Sequence, residues 1–387
     1  MLKIPAKTEY VINQLTKNGY EAYIVGGCVR DMLLGKIPFD FDVTTSATPD
    51  EVIHLFPKTV PTGIKHGTVT VIVENESIEV TTFRTEACYS DSRHPESVSF
   101  INSLKEDLAR RDFTVNAIAY NNTCGLKDYF GGINDLGKRI LKAVGEPEKR
   151  FSEDALRILR LFRFSATLNF SIEEKTLNAA LKLAGGLENI SRERIAVELK
   201  KAVCGENTEA LAHLLNSNAL NFLHINHSPD FDAVKKCRNN QMLAFFVFLY
   251  TAECDVIAVL DELKSSNKLK NYSATLLKLL EFPLPWNKAQ IKKMLIISNA
   301  DIFADYLILR NIIFSDSISD LQKLLNEIIQ NKEPYLISHL NINGEELVEL
   351  GISGRKIGKT LTFLRDKIIE NPDFNTKEKL IEYAANI

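Results

Sequence analysis

The chain has 387 residues, 45% hydrophobic and 25% charged, with a formal net charge of -3, a balance that predicts two to four soluble globular domains. No apolar run approaches the roughly 18–20 residues that span a bilayer, and Met1-Leu2-Lys3-Ile4-Pro5 lacks a signal-peptide core, so no membrane association is expected. The six cysteines (28, 88, 124, 204, 237 and 254) form no Cys-x-x-Cys pair, which argues against zinc or a disulfide framework and for a reducing cytoplasm, while the near-neutral charge confines any nucleic-acid surface to a local basic patch.

In chain order, Tyr23-Ile24-Val25 predicts a short buried strand, Gly26-Gly27 a tight turn, and Val29 to Leu34 a helix closed by Gly35. Glycines allow close backbone approach and a helix N-terminus offers free N–H groups, so this turn suits a phosphate, with Arg30 adding charge. Asp40-Phe41-Asp42 follows on the next predicted strand, where alternation puts both carboxylates on one face. Two carboxylates beside a phosphate cradle suit Mg²⁺, a hard cation that takes oxygen ligands. The combination points to phosphate-transfer chemistry on a nucleotide.

Thr68 to Val73 and Ile78 to Phe83 predict a hairpin around Glu74-Asn75-Glu76-Ser77, with Glu79 opposite to Ile78, Val80 and Thr82 as a candidate third carboxylate. In Arg110-Arg111-Asp112-Phe113-Thr114-Val115-Asn116-Ala117, a helix from Phe113 to Tyr120 is expected with Asp112 as its N-cap, sharing a face with Asn116, and Arg111 free to grip a nucleotide. From about Ser152 nearly every segment has helical periodicity, including Glu153 to Phe164, Ile190 to Ala202 and Thr208 to Leu215. Breaks are expected at Arg238-Asn239-Asn240, Ser265-Ser266-Asn267 and Asn331-Lys332-Glu333-Pro334. The fold class is therefore α+β: a mixed-sheet head followed by an all-helical remainder.

The helix expected over Ser152 to Phe164 is apolar around most of its circumference, yet Asp154, Arg157, Arg160 and Arg163 recur every three residues. Asp154 can pair with Arg157 at i, i+3. That pairing leaves Arg160 and Arg163 without partners on a buried helix, where an unpaired charge is costly, and an anionic ligand accounts for the whole stripe.

Together these motifs resemble the class II CCA-adding tRNA nucleotidyltransferases, in the short bacterial form, a branch of the polymerase-β-like superfamily. The matching elements are Gly26 to Asp31 with Asp40-Phe41-Asp42, Thr62 to Thr68, Arg110 to Ala117, Asp128-Tyr129-Phe130-Gly131-Gly132, Glu153 to Arg157 and Ile190 to Ile195. The resemblance implies a nucleotidyltransferase head (1–140), a neck with base recognition (141–205), a body (206–330) and a tail that binds tRNA (331–387). It assigns Asp40 and Asp42 to magnesium, Glu79 to catalysis, and Gly27, Arg30, Arg111, Asp154, Arg157, Arg160 and Arg163 to ATP or CTP. The stretch Arg84 to Ser103 resembles the loop needed for A addition, and a His-Asp phosphohydrolase domain is not expected, since His224 and His227 have no His-Asp match.

An Asp acceptor beside an Arg donor matches cytosine and adenine and mismatches uracil and guanine, so Asp154 with Arg157 can act as a protein template. In the tail, Gly351 to Lys359 puts a glycine-rich turn before a helix carrying Arg355, Lys356 and Lys359, a candidate grip for RNA phosphates. The expected partners are tRNA, ATP and CTP, and the protein is expected as a cytoplasmic monomer or homodimer. A poly(A) polymerase or partial CC- or A-adding enzyme is the nearest alternative, followed by a non-catalytic RNA-binding relative.

Overall fold

The computed structural model describes residues 2–89, 95–225 and 227–385, with side chains of 86–98 left aside. The chain opens with α1 (Ala6–Lys17), β1 (Ala22–Val25), α2 (Gly27–Leu33), β2 (Val43–Thr45) and α3 (Pro49–Leu55). Next come β3 (Thr59–Gly63), β4 (Thr68–Val73), β5 (Glu76–Thr82), β6 (Arg84–Tyr89), β7 (Pro95–Phe100), α4 (Leu104–Ala109), β8 (Ile118–Asn121) and β9 (Gly125–Asp128). Seven strands form one mixed sheet, ordered β3-β4-β5-β2-β1-β8-β9, in which only the β2–β5 pair is parallel. The strands β6 and β7 make a separate hairpin within the Arg84 to Ser103 stretch, of which residues 90–94 lie outside the described residues.

One face of the sheet buries Ile24, Val43, Val69, Val71, Ile78 and Val80 against Val11, Ile12 and Leu15 of α1, Val29 of α2 and Val52 of α3. The other face buries Tyr23, Val25 and Ala119 against Leu104 and Leu108 of α4, and this second core includes no residue of β3, β4 or β5. That half of the face therefore stays open. The β4–β5 connection is a two-residue turn at Glu74 and Asn75, both at positive φ (47° and 68°), tighter than the four-residue loop expected.

After β9 come α5 (Gly132–Lys138), β10 (Ile140–Leu141), α6 (Pro147–Glu153), α7 (Leu156–Leu168), β11 (Ser171–Ile172), α8 (Glu174–Leu183) and α9 (Arg192–Val203), then α10 (Ala212–Asn216) through α17 (Ser319–Gln330). A single apolar core runs from Phe113 to Ile328, joining these helices. The tail helices α18 (Gly344–Glu349), α19 (Arg355–Glu370) and α20 (Lys377–Ala385) gather around their own core of Ile342, Leu347, Leu364, Ile368, Leu380 and Ala384. Among the described residues no single helix is long and apolar enough to cross a membrane. The most apolar, α12 (Gln241–Thr251), is hydrophobic on every side because it fills the middle of the large core.

Four local expectations are corrected. The helix expected from Phe113 to Tyr120 is a single 3₁₀ turn (Thr114–Asn116) followed by β8, because Ile118, Ala119 and Tyr120 are buried beside β1. Asp40 and Asp42 precede β2 rather than lying in it, with the Asp42 carbonyl accepting from Val25 N–H at 3.1 Å, which extends the pairing with β1. The helix expected over Ser152 to Phe164 breaks at Asp154-Ala155 into α6 and α7. Thr208 to Leu215 likewise divides into a 3₁₀ turn (Thr208–Leu211) and α10.

The Asp128-Tyr129-Phe130-Gly131-Gly132 motif is a packed corner. The Asp128 carboxylate accepts from the N–H groups of Gly132 (2.8 Å) and Ile133 (2.9 Å), capping α5, and a Cβ on Gly132 would stand 2.1 Å from the Thr114 carbonyl oxygen. Gly132→Ala is therefore expected to lower stability by about 1–3 kcal/mol, the cost of overpacking. Denaturant unfolding of the purified variant checks this, and unchanged stability would contradict the corner's packing.

Candidate active site

The site begins where β1 ends. Gly26, at φ +80°, turns the chain into α2, and a side chain there would meet Arg111 Nη1 at 3.0 Å. Arg111 thus lies directly over the Gly26-Gly27 turn. Its Nε is buried without a hydrogen-bond acceptor among the described residues, and loss of water around the guanidinium lowers its pKa. On its other side Arg111 reaches Asp107, at 3.6 Å.

The two aspartates follow in an extended lead-in to β2. Val43 is in parallel register with Val80, which puts Asp42 level with Glu79, and Glu79 is directly opposite Thr70 on β4. Side chains in register share a face, so Asp42, Glu79 and Thr70 form a row across three strands. Asp40, Asp42 and Glu79 line one cleft of ≈ 580 Å³ together with Val60, Thr62, Thr70, Ile72 and Ser77. Loss of surrounding water, then the neighbouring Asp40 and Glu79 carboxylates, push the Asp42 pKa up, against the pull of Arg111. Among the described residues no three His, Cys, Asp or Glu stand close enough to form a complete metal cage. The aspartates thus offer a partial, oxygen-only ligand set.

Behind the turn lies a buried charge network that the sequence did not reveal. Arg30 gives Nε to Asp31 (2.8 Å) and Nη1 to Asn116 Oδ1 (2.7 Å), and Asn116 Nδ2 donates to Asp112 Oδ1 (3.1 Å). Asp112 Oδ2 accepts from Arg160 Nε (2.9 Å) and Nη2 (2.6 Å), and Glu198 on α9 pairs with both Arg160 and Arg163. The guanidiniums of Arg30, Arg160 and Arg163 surround the ring of Phe164, at 5.2, 5.3 and 3.6 Å from its centre. Burial opposes ionisation of Asp112, but Arg160, Asn116 and the Phe113 N–H outweigh it and hold the pKa down at about 2. Burial also lowers Arg163 to about 10, despite Glu198.

The neck residues have other partners than expected. Asp154 Oδ2 pairs with Arg194 Nη2 at 2.7 Å, not with Arg157, because the break between α6 and α7 turns it towards α9. Arg157 pairs with Glu153 Oε2 (2.7 Å) and donates to the carbonyls of Arg150 (2.9 Å) and Arg110 (3.1 Å). Arg160 and Arg163 are likewise held by Asp112 and Glu198, so the arginine stripe does have protein partners. Asp107, fully buried, holds Arg110 at 2.8 Å and Thr44 at 3.1 Å, and so fixes the backbone to which Arg157 is bonded. In the tail, Arg355, Lys356 and Lys359 are exposed on the first turns of α19 and join no ion pair among the described residues. Arg365, in contrast, is paired with Asp366.

Comparison with known proteins bears on the whole chain. Residues 22–142 match the poly A polymerase head domain, 169–233 the RNA and SrmB-binding site of polymerase A, and 237–384 tRNA nucleotidyltransferase domain 2. A CCA-adding enzyme of Staphylococcus haemolyticus is 36% identical over 390 residues, covering 97% of this chain and 96% of the relative. The chain belongs to the CCA-adding enzyme family. A CCA-adding enzyme of Lactococcus lactis subsp. cremoris is 37% identical over 93% of this chain and 91% of its own length. The crystal structure of the Bacillus stearothermophilus CCA-adding enzyme in complex with CTP superposes with a TM-score of 0.83 at 30% identity, covering 98% of this chain and 96% of that one. The α+β architecture is thus the CCA-adding fold, and the chain is an enzyme of the nucleotidyltransferase class.

Within this member of the CCA-adding family, sequence reasoning missed Asp107, Glu153, Arg194 and Glu198. Asp107 and Glu198 gave no signal beyond being acids that could neutralise an arginine-rich stripe, while Glu153 and Arg194 stood within recognised motifs without their pairing with Arg157 and Asp154 being read. Asp112→Ala is expected to cost about 3–5 kcal/mol, because Arg160 and Asn116 would lose a buried partner. The native pKa of Asp112, about 2, lies below the unfolded value of about 3.9, so its contribution is complete above pH 4 and is lost as pH falls towards 2. The stability gap between wild type and Asp112→Asn, followed by denaturant unfolding, should therefore shrink across that window.

Proposed function

We propose that the chain adds and repairs the 3′-terminal C-C-A of tRNA, using CTP and ATP, with Mg²⁺ and release of pyrophosphate. The observation that carries this reading is the placement of Asp40, Asp42 and Glu79 in one cleft beside the Gly26–Arg111 turn, in a chain of the CCA-adding family. In this division of labour residues 1–140 carry the chemistry, 141–205 the base recognition, 206–330 the connecting body and 331–387 the grip on tRNA. A tRNA substrate and the absence of a membrane-length helix among the described residues fit a cytoplasmic enzyme.

The carboxylates fit a hard cation. Asp42 is raised first by burial and then by its acidic neighbours, a repulsion that a divalent ion would relieve, and every donor is oxygen. Asp40 and Asp42 would hold it, leaving its remaining positions to phosphate oxygens and water. Once bound, the ion supplies Lewis acidity toward the terminal 3′-hydroxyl and the departing pyrophosphate.

The chain's own residues do the rest. Gly27 and the Gly26 turn leave room for the triphosphate, while Arg30 and Arg111 bring positive charge to it. Glu79, level with Asp42, would act as the third carboxylate and take the proton of the 3′-hydroxyl. As the nucleophilic oxygen bonds to the α-phosphorus, the bond to the β-phosphate oxygen breaks and pyrophosphate leaves. Asp154 and Arg157 present an acceptor and a donor to the amino group and ring nitrogen of C or A, after exchanging contacts with Arg194 and Glu153. Arg160 and Arg163 keep the neck side of the pocket cationic, and Arg355, Lys356 and Lys359 hold the RNA backbone.

Incubation with tRNAs ending before C, CC and CCA, each nucleotide being supplied separately, tests the activity. Ordered addition of C, C and A supports the reading, and exclusive A addition or no transfer overturns it. Asp42→Asn or Asp40→Ala should reduce kcat on the order of a thousand-fold while thermal unfolding and tRNA binding persist. Near-normal turnover would remove that residue from the mechanism.

The template pair is checked separately. Arg157→Ala and Asp154→Ala should raise KM for both CTP and ATP and loosen selectivity against UTP by about tenfold or more, since a buried polar mismatch no longer penalises the wrong base. Wild-type selectivity in both variants would make the pair structural.

A further inference from the structure

In-line transfer needs the attacking hydroxyl and the leaving pyrophosphate on opposite sides of the α-phosphorus. This inference rests on the CCA-adding reading above. With the triphosphate at the Gly26-Gly27 turn, the RNA end must reach Asp40 and Asp42 from the other side. What lies there is the uncovered half of the sheet face. The row Asp42, Glu79, Thr70 continues on to β3, where Thr62 Oγ1 and Thr70 Oγ1 are 2.9 Å apart, and Val60 is in register with Thr70. Ile72 and Ser77, the next pair along, complete the floor of the same cleft.

The chemistry of this floor is distinctive. Beyond the three carboxylates it carries no charge, only hydroxyls, aliphatic carbon and, between the two aspartates, Phe41, and Val60 is 44% exposed without any covering helix. A groove that reads the phosphate backbone would be lined with lysine or arginine. Hydroxyls beside flat aliphatic surface match instead the sugar hydroxyls and base of one unpaired nucleotide. We propose that the face formed by Val60, Thr62, Thr70 and Ile72 seats the unpaired 3′-terminal nucleotide of the acceptor RNA, with its 3′-hydroxyl directed at the carboxylate row. The exposed Thr62 hydroxyl, oriented by the buried Thr70 hydroxyl beneath it, donates to and accepts from the ribose, while Val60 and Ile72 support the base. A neutral seat holds the end loosely. That property suits a strand that must shift by one nucleotide after each addition, while the firm grip lies elsewhere on the RNA.

The test is a photocrosslink and a kinetic split on the full chain. A tRNA ending just before CCA and carrying 4-thiouridine as its last base should crosslink to the peptide containing residues 59–72, and Val60→Glu should abolish that crosslink. Val60→Glu and Thr62→Glu should each raise KM for this tRNA by about tenfold or more, by setting a carboxylate against the nucleotide. The KM for CTP and the thermal midpoint should stay unchanged, as both positions are exposed. Val60→Ile, which keeps the aliphatic surface, should restore the crosslink and the tRNA KM that Val60→Glu loses. Crosslinks confined to other segments, or an unchanged tRNA KM in both glutamate variants, would overturn the seat. Failure of the CCA-adding reading would look different, as wild-type protein transferring no nucleotide to this tRNA.

Discussion

A carboxylate taken out of water must be paired, and Asp112 is the place where this chain meets that requirement. One of its oxygens serves Asn116 and, through it, Arg30 beside the Gly26-Gly27 turn, while the other binds Arg160 on α7. The head and the neck are thereby fastened by one side chain. Glu198 repeats the logic from α9, and Phe164 fills the space among the three guanidiniums with a ring face that attracts cations. The contact between head and neck thus holds Arg30, Arg160 and Arg163 in fixed positions around the Phe164 ring.

The same network explains why so many arginines can line a buried helix. Arg157, Arg160 and Arg163 each have an acid from a different element: α6, the segment before the 3₁₀ turn, and α9. The stripe is therefore neutralised within the chain itself, by acids that reach it from three directions.

Much of the head was legible from local rules. The strand–glycine–helix run at Tyr23 to Leu34, the β4–β5 hairpin and the alternation that exposes Glu79 follow from turn chemistry and period-2 burial. The errors came where tertiary burial overrode local preference. Phe113 to Tyr120 has a plausible helical pattern, but β1 needs an antiparallel neighbour and takes Ile118 to Asn121 as β8. The Asp154-Ala155 break was hidden because both flanking helices continue the same apolar period. The partners of Arg160 lie 38 and 48 residues away in sequence, a separation that no spacing rule addresses, whereas Glu153 stands only one helical turn before Arg157. The Asp154–Arg194 pair, 40 residues apart, was unreadable for the same reason.

The tail's independent core bears on how readily its backbone opens to solvent. Its six buried side chains form a far smaller cluster than the one joining neck and body, and share no member with it. Small units open at lower free energy than large ones, so the amide hydrogens of α18 to α20 are expected to exchange with solvent faster than those of the helices in the large core.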